Sequence, residues 1–335
     1  YAASHVEHVK SIFETLWMSF LAALTPPFKE YNDIETSELC LKGITTSIKI
    51  AANFDIDYAR ASFVGALIQF ANLQDLEEVK VKNIYAIRNL LEIAISEGNY
   101  MKDSWKDILV IVSQVERLQL ISKGVDRETV PDVAQARLAN HRSSMDSTRS
   151  SANQSFFDRW TRKATPVEIA QEKYQNQTLS PNIAKLITSS ELVVLIDKIF
   201  TNSSALSGSA IIDFIKALTE VSLEEIDSSQ NATTPRMFSL QKMVDVCYYN
   251  MDRIRLEWTP LWNVMGEAFN KIGTESNLAV VFFAIDSLRQ LSIRFLDIEE
   301  LSGFEFQLDF LKPFEHIVEN TKDIDVQEMC IECFH

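Results

Sequence analysis

Three consecutive amphipathic segments within residues 238–301 constrain the fold of this chain more than any other feature. Each places apolar residues at steps of three and four, which is the buried stripe of an α-helix. The stripes of the first two helices consist of Leu240, Met243, Val244, Cys247, Met251, Ile254, Leu261, Trp262, Met265, Phe269 and Ile272. The third helix has no polar residue at positions 278–285, so we expect its first two turns to be covered on nearly every side. Such a triplet is typical of one layer in a stacked helical array.

The same periodicity predicts helices along most of the chain. They are expected near residues 4–24, 35–53, 56–74, 77–97, 104–122, 181–200, 208–223, 239–256, 260–272, 277–298, 308–320 and 325–334. Thr259 is expected to cap the helix that begins at Pro260, because proline suits the first helical turn, where its missing amide would lack a partner anyway. Ser180 followed by Pro181 has the same pattern.

Short segments recur at a period typical of helical repeats. One begins at Gly43 (GITTSIKIA), a second begins 43 positions later at Ala86 (AIRNLLEIA), and a third with the same pattern begins at Ala284 (AIDSLRQLS). Paired helices with a period of this size are typical of HEAT and armadillo proteins. We therefore predict an all-α, HEAT/armadillo-like α-solenoid of stacked helical hairpins. Its two halves are expected at residues 1–124 and 181–335, separated by an insertion at 125–180.

The predicted insertion differs from the helices in composition. Its centre, residues 141–155, is polar and serine-rich, so it cannot bury enough apolar surface to offset the entropy of ordering, and we predict that it is disordered. The basic and aromatic residues that follow are Phe156, Phe157, Arg159, Trp160, Arg162 and Lys163. Two interpretations stay open for them: contact with an anionic membrane or a partner, or a short helix that packs its aromatic side chains against the solenoid.

Composition and charge restrict the class of partner. Only 8 glycines and 8 prolines occur in 335 residues, which disfavours a β-protein with many tight turns. The formal net charge of -15 argues against nucleic acid as a partner, since phosphate binding needs a basic face. The same charge permits a basic protein partner.

Because the helical pattern already includes Tyr1, we expect the chain to be a fragment of a longer protein.

No catalytic, cofactor or metal site can be assembled from the sequence. The glycines are isolated, so no phosphate-binding loop is present, and no nucleophile, base and orienting acid can be grouped. His5 and His8 lack the spacing of a zinc protease. The single CxxC pair predicts one face of a helix, because a zinc site would need a second pair. Reduced core thiols are expected for most of the cysteines, which are Cys40, Cys247, Cys330 and Cys333.

Charged residues occur within the helix that we expect to be enclosed. Asp286 and Arg289 lie three positions apart on it, and Arg253, Arg255 and Arg294 would be near in a stacked layer. Buried ion pairs are one interpretation, and removing one partner from such a pair would cost roughly 3 to 5 kcal/mol. A partner-binding surface is the other interpretation.

Several long segments resemble one protein family. In the second half these are SLQKMVDVCYYNMDRIRLEWTPLW, AIDSLRQLSIRFLDIEEL and FLKPFEHIVEN, and in the first half EHVKSIFETLWMSFLAAL and EGNYMKDSWKDILVIVSQVERLQLI. They are similar to the region just downstream of the catalytic domain in the large Golgi exchange factors for ARF GTPases, the brefeldin A-inhibited kind. The resemblance covers the chain except for residues 125–179 and the acidic loop before Met237.

This resemblance implies a regulatory segment and not the catalyst. The family's exchange reaction is performed by a separate helical domain with an invading glutamate, and no stretch here matches that domain. The resemblance implies binding of activated, membrane-bound ARF, contact with the exchange domain that holds it in check, recruitment to the trans-Golgi membrane, and a homodimer formed through the parent protein. The family assigns no individual contact residues. From helix periodicity and interface chemistry we predict an exposed contact surface made of Tyr249, Asn250, Arg253, Arg255, Arg294, Lys312 and Phe314.

Substituting Arg253 and Arg255 with Glu is therefore expected to weaken binding of the GTPase and to leave thermal stability nearly intact.

Three alternative functions remain open. One is a general HEAT or armadillo adaptor for basic peptides. The others are a self-sufficient exchange enzyme and a membrane-binding module.

Overall fold

The computed structural model describes residues 6–71, 73, 78–125, 130, 179–229, 235–253, 255–297 and 306–334. Within this part of the chain there are thirteen α-helices, two short 3-10 helices at Gly98–Tyr100 and Asn202–Ala205, and no β-strand. The α-helices are α1 (Val6–Glu30), α2 (Ile34–Asn53), α3 (Asp57–Phe70), α4 (Val81–Ser96), α5 (Ser104–Ser122), α6 (Pro181–Ile187), α7 (Ser190–Thr201), α8 (Gly208–Ser228), α9 (Phe238–Tyr249), α10 (Arg255–Ile272), α11 (Leu278–Leu296), α12 (Phe306–Asn320) and α13 (Ile324–Glu332).

The helices form two rows, and each helix packs against the next one in its row. One row contains α1, α3, α5, α8, α10 and α12, and the other contains α2, α4, α7, α9, α11 and α13. Neighbours along the chain also pack across the rows as hairpins, for example α1 with α2, α8 with α9 and α12 with α13. The predicted α-solenoid of stacked helical hairpins is therefore confirmed. The predicted disordered insertion lies outside the described residues, except for its ends and Val130.

Aromatic side chains pack both within a row and between the two rows. Trp105 of α5 meets Phe214 of α8 edge-on, with ring centroids 4.8 Å apart. Trp258 of α10 meets Phe295 of α11 in the same way at 4.6 Å. Both tryptophans are almost fully buried. Large aromatic residues at these recurring positions contribute much of the buried apolar area that holds successive hairpins together.

Two predicted helix boundaries are wrong for local reasons. α10 begins at Arg255 and continues through Pro260, so Thr259 does not cap it. Pro260 is the sixth residue of α10, so its missing amide leaves the helix without one hydrogen bond, the one to the carbonyl oxygen of residue 256. The helix predicted at 181–200 is broken between α6 and α7, where Ser189 has an extended backbone and serves as the N-cap of α7.

The first turns of α11 are less enclosed than predicted. Val280, Val281, Ala284 and Ile285 are buried, but Leu278 and Ala279 at the start of the helix are exposed. The pair formed by Asp286 and Arg289 exists, with Nη2 and Oδ1 2.6 Å apart, but both side chains are more than 40% exposed. The prediction of a buried ion pair is therefore wrong at this position, because the polar side of α11 faces away from the other row.

A buried ion pair occurs elsewhere, between α5, α8 and the segment that leads into α9. Glu225 accepts hydrogen bonds from the Ser113 hydroxyl at 2.6 Å and from the Ser239 amide at 2.7 Å. Arg236 lies beside this carboxylate and donates to Glu116 at 2.8 Å and to the Ser113 carbonyl oxygen at 2.7 Å. Burial raises the pKa of the Glu225 carboxyl, and the positive charge of Arg236 acts in the opposite direction. The network fixes α9 onto the row that contains α5 and α8.

Candidate partner-binding surface

Three of the predicted contact residues are exposed. Tyr249 is 40% exposed at the end of α9, and Arg294 is exposed near the end of α11. Lys312 is exposed on α12, where its ammonium lies 2.5 Å from the Asp309 carboxylate. Tyr249 and Arg294 belong to one row and Lys312 belongs to the other. The structure thus divides the predicted surface between two faces of the solenoid.

The predicted exposure of Asn250, Arg253 and Phe314 is wrong. Asn250 and Phe314 are each 1% exposed, and only 11% of the Arg253 side chain is exposed. Phe314 packs with its ring centroid 5.5 Å from that of Phe334, on the same side of α12 as the buried Phe310. The side chain of Arg255 and all of the aromatic and basic residues at 156–163 lie outside the described part of the structure.

Arg253 holds the turn between α9 and α10 against the 3-10 helix that follows α7. Its guanidinium donates to the carbonyl oxygens of Ser203, Ser204 and Leu206 at 3.1, 3.1 and 2.6 Å. It also donates to the side-chain oxygen of Asn250 at 2.6 Å and forms an ion pair with Glu257 at 2.9 Å. These partners use all of the guanidinium's three nitrogens, so the side chain is a structural clamp. We refer to it below as the Arg253 clamp.

Asn250 belongs to the same hydrogen-bond network as the Arg253 clamp. Its amide nitrogen donates to the Ser203 hydroxyl at 2.9 Å, and its backbone carbonyl accepts a hydrogen bond from the Trp258 indole at 2.9 Å. Buried polar groups of this kind are stabilising only while their partners are present. Substituting Asn250 or Arg253 would therefore destabilise the fold, and a loss of binding in such a variant would not show that the residue contacts a partner.

The exposed residues that remain near Tyr249 and Arg294 form one candidate surface. It contains Tyr248 and Tyr249 at the end of α9 and Ile293, Arg294 and Leu296 at the end of α11, all at least 36% exposed. We call this the α9–α11 surface. The two helices pack against each other. Desolvation raises the pKa of the Tyr248 hydroxyl, and the charge of Arg294 acts in the opposite direction.

The chemistry of the α9–α11 surface suits protein recognition. Tyrosine and arginine are enriched at protein interfaces, and exposed Ile293 and Leu296 add apolar area beside them. No hydrogen bond or ion pair holds Arg294 to any part of the chain that the structure describes. The sequence prediction missed Tyr248, Ile293 and Leu296. Their signal was available, because all three fall outside the apolar stripes of α9 and α11.

The described part of the structure also contains a groove near the start of the solenoid. A groove of about 520 Å³ lies among the ends of α1, α3 and α4 and contains the buried Lys82. The Lys82 ammonium donates to the carbonyl oxygens of Phe28, Lys29 and Tyr31 at 2.5 to 3.1 Å, so the end of α1 occupies all three of its protons. Among the residues that the structure describes, no group of three or more His, Cys, Asp or Glu side chains could hold a metal ion.

The cysteines behave as core residues. Cys40, Cys247 and Cys330 are buried free thiols, as predicted, and Cys333 is half-buried. Desolvation raises the pKa of Cys330 to about 11.

None of the described helices combines the length and the apolar character needed to cross a membrane.

Comparison with known proteins identifies the relatives of this chain. The ADP-ribosylation factor guanine nucleotide-exchange factor SEC7 of Saccharomyces cerevisiae is 76% identical over 334 residues, which cover 100% of this chain and 17% of the yeast protein. By sequence, the chain corresponds to a segment of the Sec7 and BIG exchange factors. Brefeldin A-inhibited guanine nucleotide-exchange protein 1 of Homo sapiens is 40% identical over 99% of this chain and 17% of its own length. Protein 3 of the same name from Arabidopsis thaliana is 34% identical, over 99% of this chain and 20% of its own length.

The resemblance noted in the sequence is therefore confirmed across kingdoms. The family model for the HDS region of Mon2, Sec7 and BIG1-like proteins matches residues 294–335, which begin on α11 and include α12 and α13. The chain spans only about a sixth to a fifth of these relatives. Its position relative to their catalytic domain stays a prediction.

Proposed function

We propose that this chain is a non-catalytic regulatory region of an ARF exchange factor. In this role it binds activated ARF at the trans-Golgi membrane and controls recruitment and autoinhibition of the exchange domain. The observation that carries the proposal is the match, over essentially the whole chain, to proteins named as ARF guanine nucleotide-exchange factors. The two-row solenoid supports docking as the role, because such arrays present extended faces to protein partners.

The α9–α11 surface is the face that we assign to ARF. Tyr249 and Arg294 can be changed without breaking a described hydrogen bond or ion pair, whereas Asn250 and Arg253 cannot. A surface that controls recruitment must bind the GTP form of the GTPase better than the GDP form, since a ligand shifts an equilibrium only by its differential affinity. Contact with the exchange domain and with the membrane, for which residues 156–163 are the candidate segment, remains part of the proposal.

The experiment is co-sedimentation with liposomes that carry lipid-anchored ARF loaded with GTP or with GDP. We expect the chain to sediment with the GTP form and to remain in the supernatant with the GDP form. The double variant Tyr249→Ala, Arg294→Glu should lose this binding while its circular dichroism and urea midpoint stay those of the wild type. Lys216→Glu, an exposed change on α8 in the other row, is the matched control and should bind normally. Equal sedimentation with both nucleotide states would contradict the proposal.

A second candidate function is that of a general adaptor for basic peptides, and the observation that favours it is the net charge of -15. Capture by immobilised basic peptides, with no binding of GTP-loaded ARF, would favour it. Nucleotide release from ARF in the presence of this chain alone would instead favour a self-sufficient exchange enzyme.

A further inference from the structure

A polar groove lies between α2 and α4, the first two helices of their row. It has a volume of about 410 Å³, and one face of each helix forms a wall. The buried Leu41 forms part of its floor. Thr45 on one wall and Asn89 on the other are short side chains placed between longer ones, which leaves the middle of the groove open. We call this the α2–α4 groove.

The α2–α4 groove has cationic hydrogen-bond donors on both walls. On the α2 wall, the Lys42 ammonium and the Glu38 carboxylate make no ion pair or hydrogen bond with the described residues, although their spacing of four along one helix would allow them to pair. On the α4 wall, Arg88 donates through Nε to Glu92 at 3.1 Å and pairs through Nη2 with Glu191 of α7 at 2.8 Å. Its remaining nitrogen, Nη1, makes no hydrogen bond within the part of the chain that the structure describes. An anionic group between the walls would therefore meet two unused donors.

A small apolar cleft lies beside the α2–α4 groove along the same row. It is formed by α4 together with α6 and α7, and its volume of about 40 Å³ is room for roughly three heavy atoms, the size of a valine side chain. Its aliphatic lining residues are Ile84, Leu186, Leu192 and Leu195. Tyr85 and Arg88 line both the groove and the cleft, so the two depressions adjoin over α4. We call the second depression the α4–α7 cleft.

We propose that the α2–α4 groove and the α4–α7 cleft together bind an extended peptide segment of a partner protein, in which an acidic residue is followed three positions later by a valine. The acidic side chain binds Lys42 and Arg88, and the valine enters the cleft. Helices that pack in one row are about 8 to 10 Å apart, and a polyproline II segment repeats its facing side every three residues, or about 9 Å. The backbone between the two anchors crosses α4, where the Asn89 amide oxygen has no described hydrogen-bond donor and accepts from a peptide N–H.

The peptide site and the α9–α11 surface are separate. In the row that contains both, α2 and α4 lie at one end, and α7 lies between them and α9. A peptide in the groove therefore leaves the α9–α11 surface open to a second partner. The peptide proposal does not rest on ARF binding, and the two can fail independently.

The test is fluorescence anisotropy of the whole chain with the fluorescein-labelled peptide Gly-Ser-Glu-Pro-Pro-Val-Ser-Gly, whose prolines favour the polyproline II conformation. We expect saturable binding with a dissociation constant on the order of 100 μM, because only a few residues are in contact. Changing the peptide's Glu to Gln should weaken binding roughly fivefold, the value of an exposed ion pair. Lys42→Glu should weaken it roughly tenfold or more, because two carboxylates are then opposed. Lys49→Glu is the matched control, an exposed change on α2 outside the groove, and should bind like the wild type.

A charge exchange tests the same contact independently. The peptide with Lys in place of Glu should bind Lys42→Glu more tightly than it binds the wild type, and urea midpoints should show both variants to be folded. A wild-type chain that gives no saturable binding of the original peptide would overturn the proposal, as would equal affinities of the wild type and Lys42→Glu. Loss of sedimentation with GTP-loaded ARF in Lys42→Glu would also overturn it, because the occupant of the groove would then be the GTPase.

Discussion

The Arg253 clamp leads to the most specific prediction. Removing the guanidinium in Arg253→Ala deletes five hydrogen bonds, but they do not contribute equally. Ser204 and Glu257 are partly or fully exposed, so water can replace the lost donor there at little cost. The buried Ser203 carbonyl oxygen keeps the Leu206 amide as a donor at 3.2 Å, whereas the side-chain oxygen of the buried Asn250 loses its described donor, which costs roughly 1 to 3 kcal/mol. The hydrogen bond to the half-buried Leu206 carbonyl oxygen is also lost, so we expect a total loss of about 2 to 4 kcal/mol in the free energy of unfolding.

The assay is urea unfolding followed by far-UV circular dichroism, with Arg294→Ala as the control. Arg294 is also an arginine near a helix end, but it is exposed and has no hydrogen bond or ion pair with the described residues, so its removal should change the unfolding free energy by less than about 0.5 kcal/mol. Arg253→Lys should recover only part of the loss, since an ammonium cannot reach all the acceptors of a planar guanidinium. Equal stability of Arg253→Ala and Arg294→Ala would refute the structural role of the clamp.

Three further predictions test the packing. Glu225→Gln should lower the free energy of unfolding by roughly 1 to 3 kcal/mol in urea titrations, because the carboxylate that accepts from the Ser239 amide is lost and Glu116 alone then pairs with the buried Arg236; an unchanged midpoint would refute the buried pair. Gly273→Ala should cost about 1 to 3 kcal/mol in the same assay, since the new Cβ would lie 2.3 Å from Ile317 unless α12 shifts; Gly65→Ala, whose Cβ meets nothing, is the control and should not destabilise. Cys330, with a pKa of about 11, is almost entirely protonated at pH 8, so in the folded protein it should react with a thiol reagent far more slowly than the same residue in urea; equal rates would refute its burial.

The helical rows could be predicted because local periodicity determines them. The apolar stripes of α9 and α10 are visible in the sequence, and the burial of members such as Leu240, Met243 and Met265 follows from their spacing. Repeat proteins favour this kind of prediction, since each hairpin mainly contacts its neighbours. The helix break before Ser190 was not predicted, although the polar residues at 188–191 interrupt the apolar pattern there and mark it in the sequence.

The candidate site was harder to predict because burial of a polar residue depends on distant partners. Asn250 and Arg253 lie on the polar side of the chain by periodicity, and the acceptors that bury them are about 50 residues earlier, in the 3-10 helix that contains Ser203. No pattern in the sequence near residues 250–253 indicates that contact. Phe314 is a different case, since it falls on the apolar stripe of α12 with Phe310 and could have been assigned to the core. Tyr249 and Arg294 were correctly predicted to be exposed, and their role in binding stays a prediction.

We propose that this solenoid distinguishes the GTP form of ARF from the GDP form through the α9–α11 surface. The most direct measurement is the equilibrium dissociation constant for soluble ARF locked with a non-hydrolysable GTP analogue and for ARF with GDP, by fluorescence anisotropy. We predict at least a roughly tenfold preference for the GTP form, corresponding to about 1.4 kcal/mol, and its loss in the variant Tyr249→Ala, Arg294→Glu. Equal affinities for the two forms would contradict the claim, and a preference that survives in the folded double variant would contradict the assignment of the surface.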